Sequence, residues 1–188
     1  MDKKNKVKER ILDTASRLFY YQGYNSTGIN QIIAEAGIAI GSLYKHHQSK
    51  IDLLYHYLQQ QEMEYFDNLD SFLKKEKNPL QKLLKIIDYR IKLQETANYS
   101  GCHFIKVNAE IGRSDTKIAQ FIVAHKQKQR DYLSVILEEI NTVKKLPIEK
   151  EILSNIIFLM IEGAVVSASI NQNNDDLNAV KNAVKQLF

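Results

Sequence analysis

A chain of 188 residues, 44% apolar and 26% charged, is long enough for one large domain or two small ones, and this composition excludes disorder. Seven glycines and two prolines supply few turns and favour an all-α fold, while a lone cysteine, Cys102, excludes an intramolecular disulfide framework. The net charge of +4 comes from the first fifty residues, where eight basic side chains (Lys3, Lys4, Lys6, Lys8, Arg10, Arg17, Lys45, Lys50) face four acidic ones (Asp2, Glu9, Asp13, Glu35).

The rest of the chain carries eighteen charges of each sign, so a basic segment is joined to a neutral body. That placement points to a polyanion-binding head on a body with another task. The opening MDKKNKVKER is basic without an apolar run behind it, so no secretory leader is expected. No run of about 18 apolar residues occurs, so a membrane-spanning helix and a membrane partner are not expected either. One free thiol suits a reducing, cytoplasmic setting.

In chain order, Val7, Ile11, Ala15, Leu18 and Phe19 recur at helical spacing, and Gly23 stops that helix. Ser26 or Thr27 is the expected cap of a short helix with Ile29, Ile32, Ile33 and Ala36 inside and Gly37 at its end. A third short helix is expected over about 40–47, with Leu43 inward. The run SKID then starts a long helix, Ser49 capping it and Asp52 completing a capping-box-like pair, reaching to about Leu73. KKEKNP breaks it, and Pro79 opens a helix through Leu83, Leu84, Ile87 and Ile91 toward Ser100 and Gly101. Short and long helices follow over about 102–111, stopped by Gly112, and 115–141. Two more are expected over about 148–170 and 175–188, the last two separated by NQNNDD.

The stretch NQIIAEAGIAIGSLYKHHQSK, residues 30–50, therefore joins two short helices through a tight glycine turn, which is a helix-turn-helix. Such a pair lays its second helix in the DNA major groove. Ser42, Lys45 and His46 are the expected base-reading groups, and Ile40 suits a thymine methyl. Gly41 removes a side chain where the phosphate backbone would crowd, and Thr27, Tyr44 and Lys50 are the expected phosphate contacts.

Residues 27–54, TGINQIIAEAGIAIGSLYKHHQSKIDLL, resemble the DNA-binding signature of the TetR family of one-component bacterial transcription regulators. The matching positions are Thr27, Ile32, Ala36, Gly37, Ile38, Gly41, Leu43, Tyr44, Lys50 and Leu53. Departures are Ala39 where a capping Ser or Thr is usual, Ile33 in place of a small residue, Ile40 at an often polar place, and His47 where a buried aromatic is common. The resemblance implies a DNA-binding domain over residues 1–48 and a ligand-binding, dimer-forming helical domain over 49–188. It further implies a repressor, a homodimer on a palindromic double-stranded operator, and release by a small-molecule inducer.

Aromatic and polar residues of the middle helices are the candidates for that inducer: Phe66, Tyr89, His103, Phe104, Phe121, His125 and Phe158, with Glu162 as a charged anchor. Cys102, next to Gly101 and His103 and one turn before Lys106, is a candidate electrophile-reactive thiol. For the dimer, Ile152, Ile156, Leu159, Gly163, Val166 and Ile170 share one side of a helix, and Leu177, Val180, Val184 and Leu187 keep a heptad rhythm.

No cofactor is implied, and the scattered histidines make no metal spacing in sequence. An enzyme is not expected, because Cys102 and His103 are adjacent and diverge on a helix, and no phosphate-cradling glycine loop is present. The alternative function is a helical protein-interaction module without sequence-specific DNA binding.

Overall fold

The computed structural model describes residues 3–111 and 114–188. Among the described residues there are helices and no strands: α1 (Lys3–Tyr21), α2 (Ile29–Ala36), α3 (Ile40–His46), α4 (Lys50–Leu73), α5 (Pro79–Thr96), α6 (His103–Ile111), α7 (Thr116–Val143), α8 (Lys150–Asn171) and α9 (Asp175–Leu187). The all-α expectation and the order of its elements hold. The stop expected at Gly112 lies outside the described residues.

The helix boundaries follow local chemistry. Gly37 closes α2 in the left-handed conformation (φ 60°) and donates its N–H to the Ala34 carbonyl, while Ile38 N–H reaches the Ile33 carbonyl. This terminal wrap needs a positive φ that glycine adopts without steric cost. Asn78 caps α5 by accepting the Gln81 N–H at 3.1 Å, with Pro79 at the first helical position. Ser49 Oγ accepts the Asp52 N–H at 3.1 Å as expected, but Asp52 Oδ2 accepts the N–H of Gln48 rather than that of Ser49. The cap of α2 differs from expectation too. Gly28 holds that position without a side-chain bond, because the Thr27 hydroxyl donates backwards to the Gly23 carbonyl at 2.7 Å.

Two compact units result, Met1–Glu64 with His103–Ala119, and Tyr65–Cys102 with Gln120–Phe188. In the first, Ile11, Ala15, Leu18 and Phe19 of α1 are buried together with Ile32 and Ala36 of α2, Leu43 of α3, and Leu53, Leu54, Tyr57 and Leu58 of α4. Each fully buried leucine or isoleucine contributes about 1.5–3 kcal/mol of transfer free energy, so this small core holds α2 and α3, which are too short to persist alone. Helix α6 belongs to the same unit. Its Glu110 carboxylate accepts the N–H of Tyr24 at 3.0 Å and of Asn25 at 2.7 Å, and the Asn25 side chain donates to the Glu110 carbonyl. Gly23 is required beside it: its φ is +98°, and a Cβ there would stand 2.9 Å from Glu110 Oε1.

In the second unit α5, α7, α8 and α9 enclose a core that includes Leu83, Ile87, Leu137, Ile157, Val165, Leu177 and Val184, all nearly inaccessible. Polar ties cross it at the rim: Lys82 to Glu139 at 2.6 Å, Lys181 to Asp88 at 2.6 Å, and the Ser154 hydroxyl to the Arg130 carbonyl at 3.0 Å.

Two expectations are corrected here. Leu177, Val180 and Val184 of α9 are buried within their own chain, so their part of the heptad rhythm marks an internal seam, while Leu187, the fourth residue of that rhythm, is exposed. And α8 is, by length and composition, apolar enough to cross a membrane, contrary to the expectation for the chain. The physical reason is that both sides of α8 are apolar. Leu153, Ile157, Phe158, Ile161, Ala164, Val165 and Ala168 fill the core, while Ile152, Ile156, Leu159, Val166 and Ile170 are exposed.

Candidate nucleic-acid interface and ligand cavity

Helix α3 is short, and one inward residue anchors it: Leu43, with no accessible surface. Turning Leu43 inward leaves Ile40, Gly41, Tyr44 and Lys45 exposed, with Ser42 and His46 half-buried at the margins. Ile40 and Tyr44 expose 56% and 51% of their surfaces, a high share of apolar surface for a seven-residue helix. Ala39 precedes it without a side-chain cap, which forgoes about 1 kcal/mol relative to Ser or Thr.

Polar contacts fix the helices beneath this face. Arg17 of α1 pairs with Glu35 of α2, and Glu35 also accepts from Gln31, which in turn bonds Gln22 at 2.9 Å. The Arg17 hydrogen bond, seconded by Gln31, holds the Glu35 carboxyl below its usual range. Lys50, at the start of α4, lies 4.1 Å above the Tyr24 ring, and partial burial lowers its pKa against the pull of Glu110. Seven of the eight residues expected at DNA are therefore gathered on α3 and at the head of α4. Thr27 differs: it is buried, and its hydroxyl is bonded inside the turn.

The residues expected at a ligand divide between the units. His103 lies in the first, stacked on Tyr20 at 3.8 Å and bonded to the Tyr57 hydroxyl at 2.5 Å; burial, then Lys106, pushes its pKa down to about 3. Phe104 is buried in that unit as well. Phe66, Phe158 and Glu162 line a cavity of about 20 Å³ in the second unit, with Tyr65, Arg90, Gln129 and Tyr132. Near it are Tyr89, whose hydroxyl donates to the Tyr65 carbonyl at 3.0 Å, and His125, whose ring lies 5.7 Å from those of both Tyr65 and Phe66. Cys102 is half-buried, with Lys126 Nζ 3.5 Å from its sulfur. Phe121 is half-buried on α7 and does not line the cavity.

Charge is concentrated at this cavity. Glu162 accepts from Arg90 at 2.9 Å and from Lys126 at 2.5 Å, with all three side chains at least 85% covered. Two cations thus face one carboxylate, and Arg90 Nε and Gln129 Nε2 are buried donors without a partner. Sequence reasoning missed Tyr65, Arg90, Lys126 and Gln129. A signal existed for two of them: Arg90 continues the buried stripe Leu83, Ile87, and Gln129 sits between Ile122 and Leu133 on the apolar side of α7. A polar residue on a buried stripe is a candidate binding group.

Residues 11–57, the first three helices with the start of α4, match the family model described as bacterial regulatory proteins, tetR family. The head of the chain, residues 11–57, is that of the TetR family. It is 54% identical over 44 residues to the HTH-type transcriptional regulator YxaF of Bacillus subtilis, a match that spans 23% of each chain. A TetR-family regulator structure from Agrobacterium tumefaciens covers 98% of both chains with a TM-score of 0.86 at 22% identity. The FadR regulator of Bacillus subtilis, in complex with stearoyl-CoA, covers 95% of this chain and 96% of its own with a TM-score of 0.75 at 22% identity. At that identity the structural likeness speaks for the fold, while the specific relation rests on the head.

Proposed function

We propose that this chain is a TetR-family transcriptional repressor that binds a palindromic duplex operator as a cytoplasmic homodimer and lets go when a small molecule enters its helical body. The exposed face of α3 carries this reading: Ile40, Tyr44 and Lys45 stand free around Gly41 on a helix anchored by a single leucine. In that reading residues 1–48 are the DNA-reading domain and 49–188 the ligand-binding and dimerisation domain. Ser42, Lys45 and His46 read bases, Ile40 meets a methyl group, and Tyr44 and Lys50 hold phosphates. Thr27 shapes the turn that presents them. The exposed side of α8, from Ile152 to Ile170, is the surface on which two copies meet.

The inducer carries an anionic or acceptor-rich head and an apolar body. Arg90 and Lys126 outweigh Glu162 by one charge, two buried donors await an acceptor, and Tyr65, Phe66 and Phe158 surround them. A relative that binds stearoyl-CoA supports an amphiphilic ligand of this class. The cavity as it stands has room for about one water, so the ligand must push Phe66 and Phe158 aside. Such a ligand favours the opened arrangement over the closed one, which is a population shift. Helix α4, which begins at the reading head and ends among the cavity's own residues, is the lever. A second reading, with an electrophilic inducer, rests on the half-buried Cys102, whose sulfur accepts from the Lys126 ammonium at 3.5 Å beside the same charged cluster; a Cys102→Ser variant that still releases DNA on electrophile treatment discards it.

The test of the main reading is DNase footprinting of the full chain on the DNA flanking its own gene. A protected site with two-fold symmetry is the expected result. Uniform protection without a preferred site would overturn the reading.

A further inference from the structure

His47 is a histidine with no accessible surface. It caps the C-terminal end of α3, the proposed reading helix. Its Nδ1 faces the Nδ1 of His56 at 3.1 Å, and Asp52 Oδ2 lies 3.9 Å from the first nitrogen and 3.6 Å from the second. Three atoms that can donate electron pairs therefore converge from two helices onto one point.

We propose that His47, Asp52 and His56 form a binding site for a divalent transition-metal cation of the zinc class, which pins the end of α3 to the first turns of α4. The geometry fits. Ligands at about 2.0–2.1 Å around a tetrahedral ion lie about 3.4 Å from one another, and the three observed separations bracket that value. Two imidazoles and one carboxylate are a donor set that zinc takes, with a fourth position left for water. His56 and Asp52 are partly open, which gives the ion a way in. Against tight binding, His47 Nε2 is buried without a partner, so the outer support a structural zinc site normally has is missing. The site is therefore a reversible one, weaker than a closed four-ligand zinc site.

A bound cation joins the residue that ends α3 to the first turns of α4, where Asp52 already accepts the Gln48 N–H and donates its own N–H to the Ser49 hydroxyl. It would hold α3 at a fixed angle to α4, and its effect on DNA affinity rests on the regulator reading.

Calorimetric titration of metal-free full-length chain with zinc chloride tests the site, with Co²⁺ absorption as the spectroscopic check on coordination. One ion per chain is expected, and zinc should raise the melting temperature. His56→Gln and Asp52→Asn, both at partly open positions, should keep the melting temperature of the metal-free chain while losing at least about tenfold in zinc affinity. Cys102→Ser should bind zinc as the parent does. Absence of zinc binding, equal binding by His56→Gln, or loss of binding in Cys102→Ser would each overturn the site. A chain that takes one zinc through these residues and binds no DNA with or without it would leave the site standing and sink the regulator reading instead.

Discussion

Gly41 lies on the open side of α3, and a methyl group added there would meet nothing within 4 Å. Within the chain it is therefore dispensable, and in the first turn of α3 it costs up to about 1 kcal/mol relative to alanine. Gly41→Ala should stabilise the protein by up to about 1 kcal/mol in urea melts while lowering affinity for the operator at least tenfold; unchanged operator affinity would remove the phosphate-crowding argument. His47 and His103 make a second prediction. Burial holds their pKa values at about 4 and about 3, below the ordinary value near 6.5 that the unfolded chain restores. Above that value both states are neutral and stability is flat. Below it the unfolded chain takes up protons that the folded one refuses, so stability falls by at most about 1.4 kcal/mol per pH unit per histidine. The decline ends as pH passes the folded-state values. Urea midpoints in the presence of a chelator should drop between pH 7 and pH 5, and less in His103→Asn; equal slopes would contradict the burial account. At this scale the sequence was legible where chemistry is local: the Gly37 stop, the Pro79 start, Leu43 inward. It was not legible at Thr27, whose hydroxyl had two backbone partners to choose between, nor at His47, whose partner is nine residues away.

Helices were predictable as elements because their apolar residues recur at the helical period, yet a period does not say what covers each face. Helix α8 has apolar residues on two sides, and the side from Ile152 to Ile170, read from the sequence as the dimer face, is the one left exposed. The chain buries the side of Ile157 and Ile161 and leaves Leu159 and Ile170 exposed at 61% and 73%. A contiguous apolar strip of this kind is costly in water unless a partner covers it. Leu159→Lys should fold with an unchanged melting curve at high dilution and sediment as a monomer where the parent sediments as a dimer; a variant that stays dimeric would move the interface elsewhere. The α9 seam was misjudged for the related reason that a heptad rhythm fits an internal helix pair as well as an intermolecular one.

For the whole molecule, composition and the count of helices were enough to give the class, and the basic head showed in where the charges lie. What local patterns could not give is which distant segments share a unit. Glu110 bonds Tyr24 and Asn25 from 86 and 85 residues away, and α6 thereby joins the reading helices. Likewise the charged cavity forms only when Arg90, Lys126 and Glu162 meet from three helices. The head's excess of cations and the open face of α3 together predict binding that is both salt-sensitive and sequence-selective. Fluorescence anisotropy of the full chain against the footprinted duplex and a scrambled duplex measures both at once. Affinity for the first should fall by roughly a thousandfold or more between about 50 and about 200 mM salt and exceed that for the second by at least about a thousandfold. Equal affinity for the two duplexes, or none for either, would contradict the account.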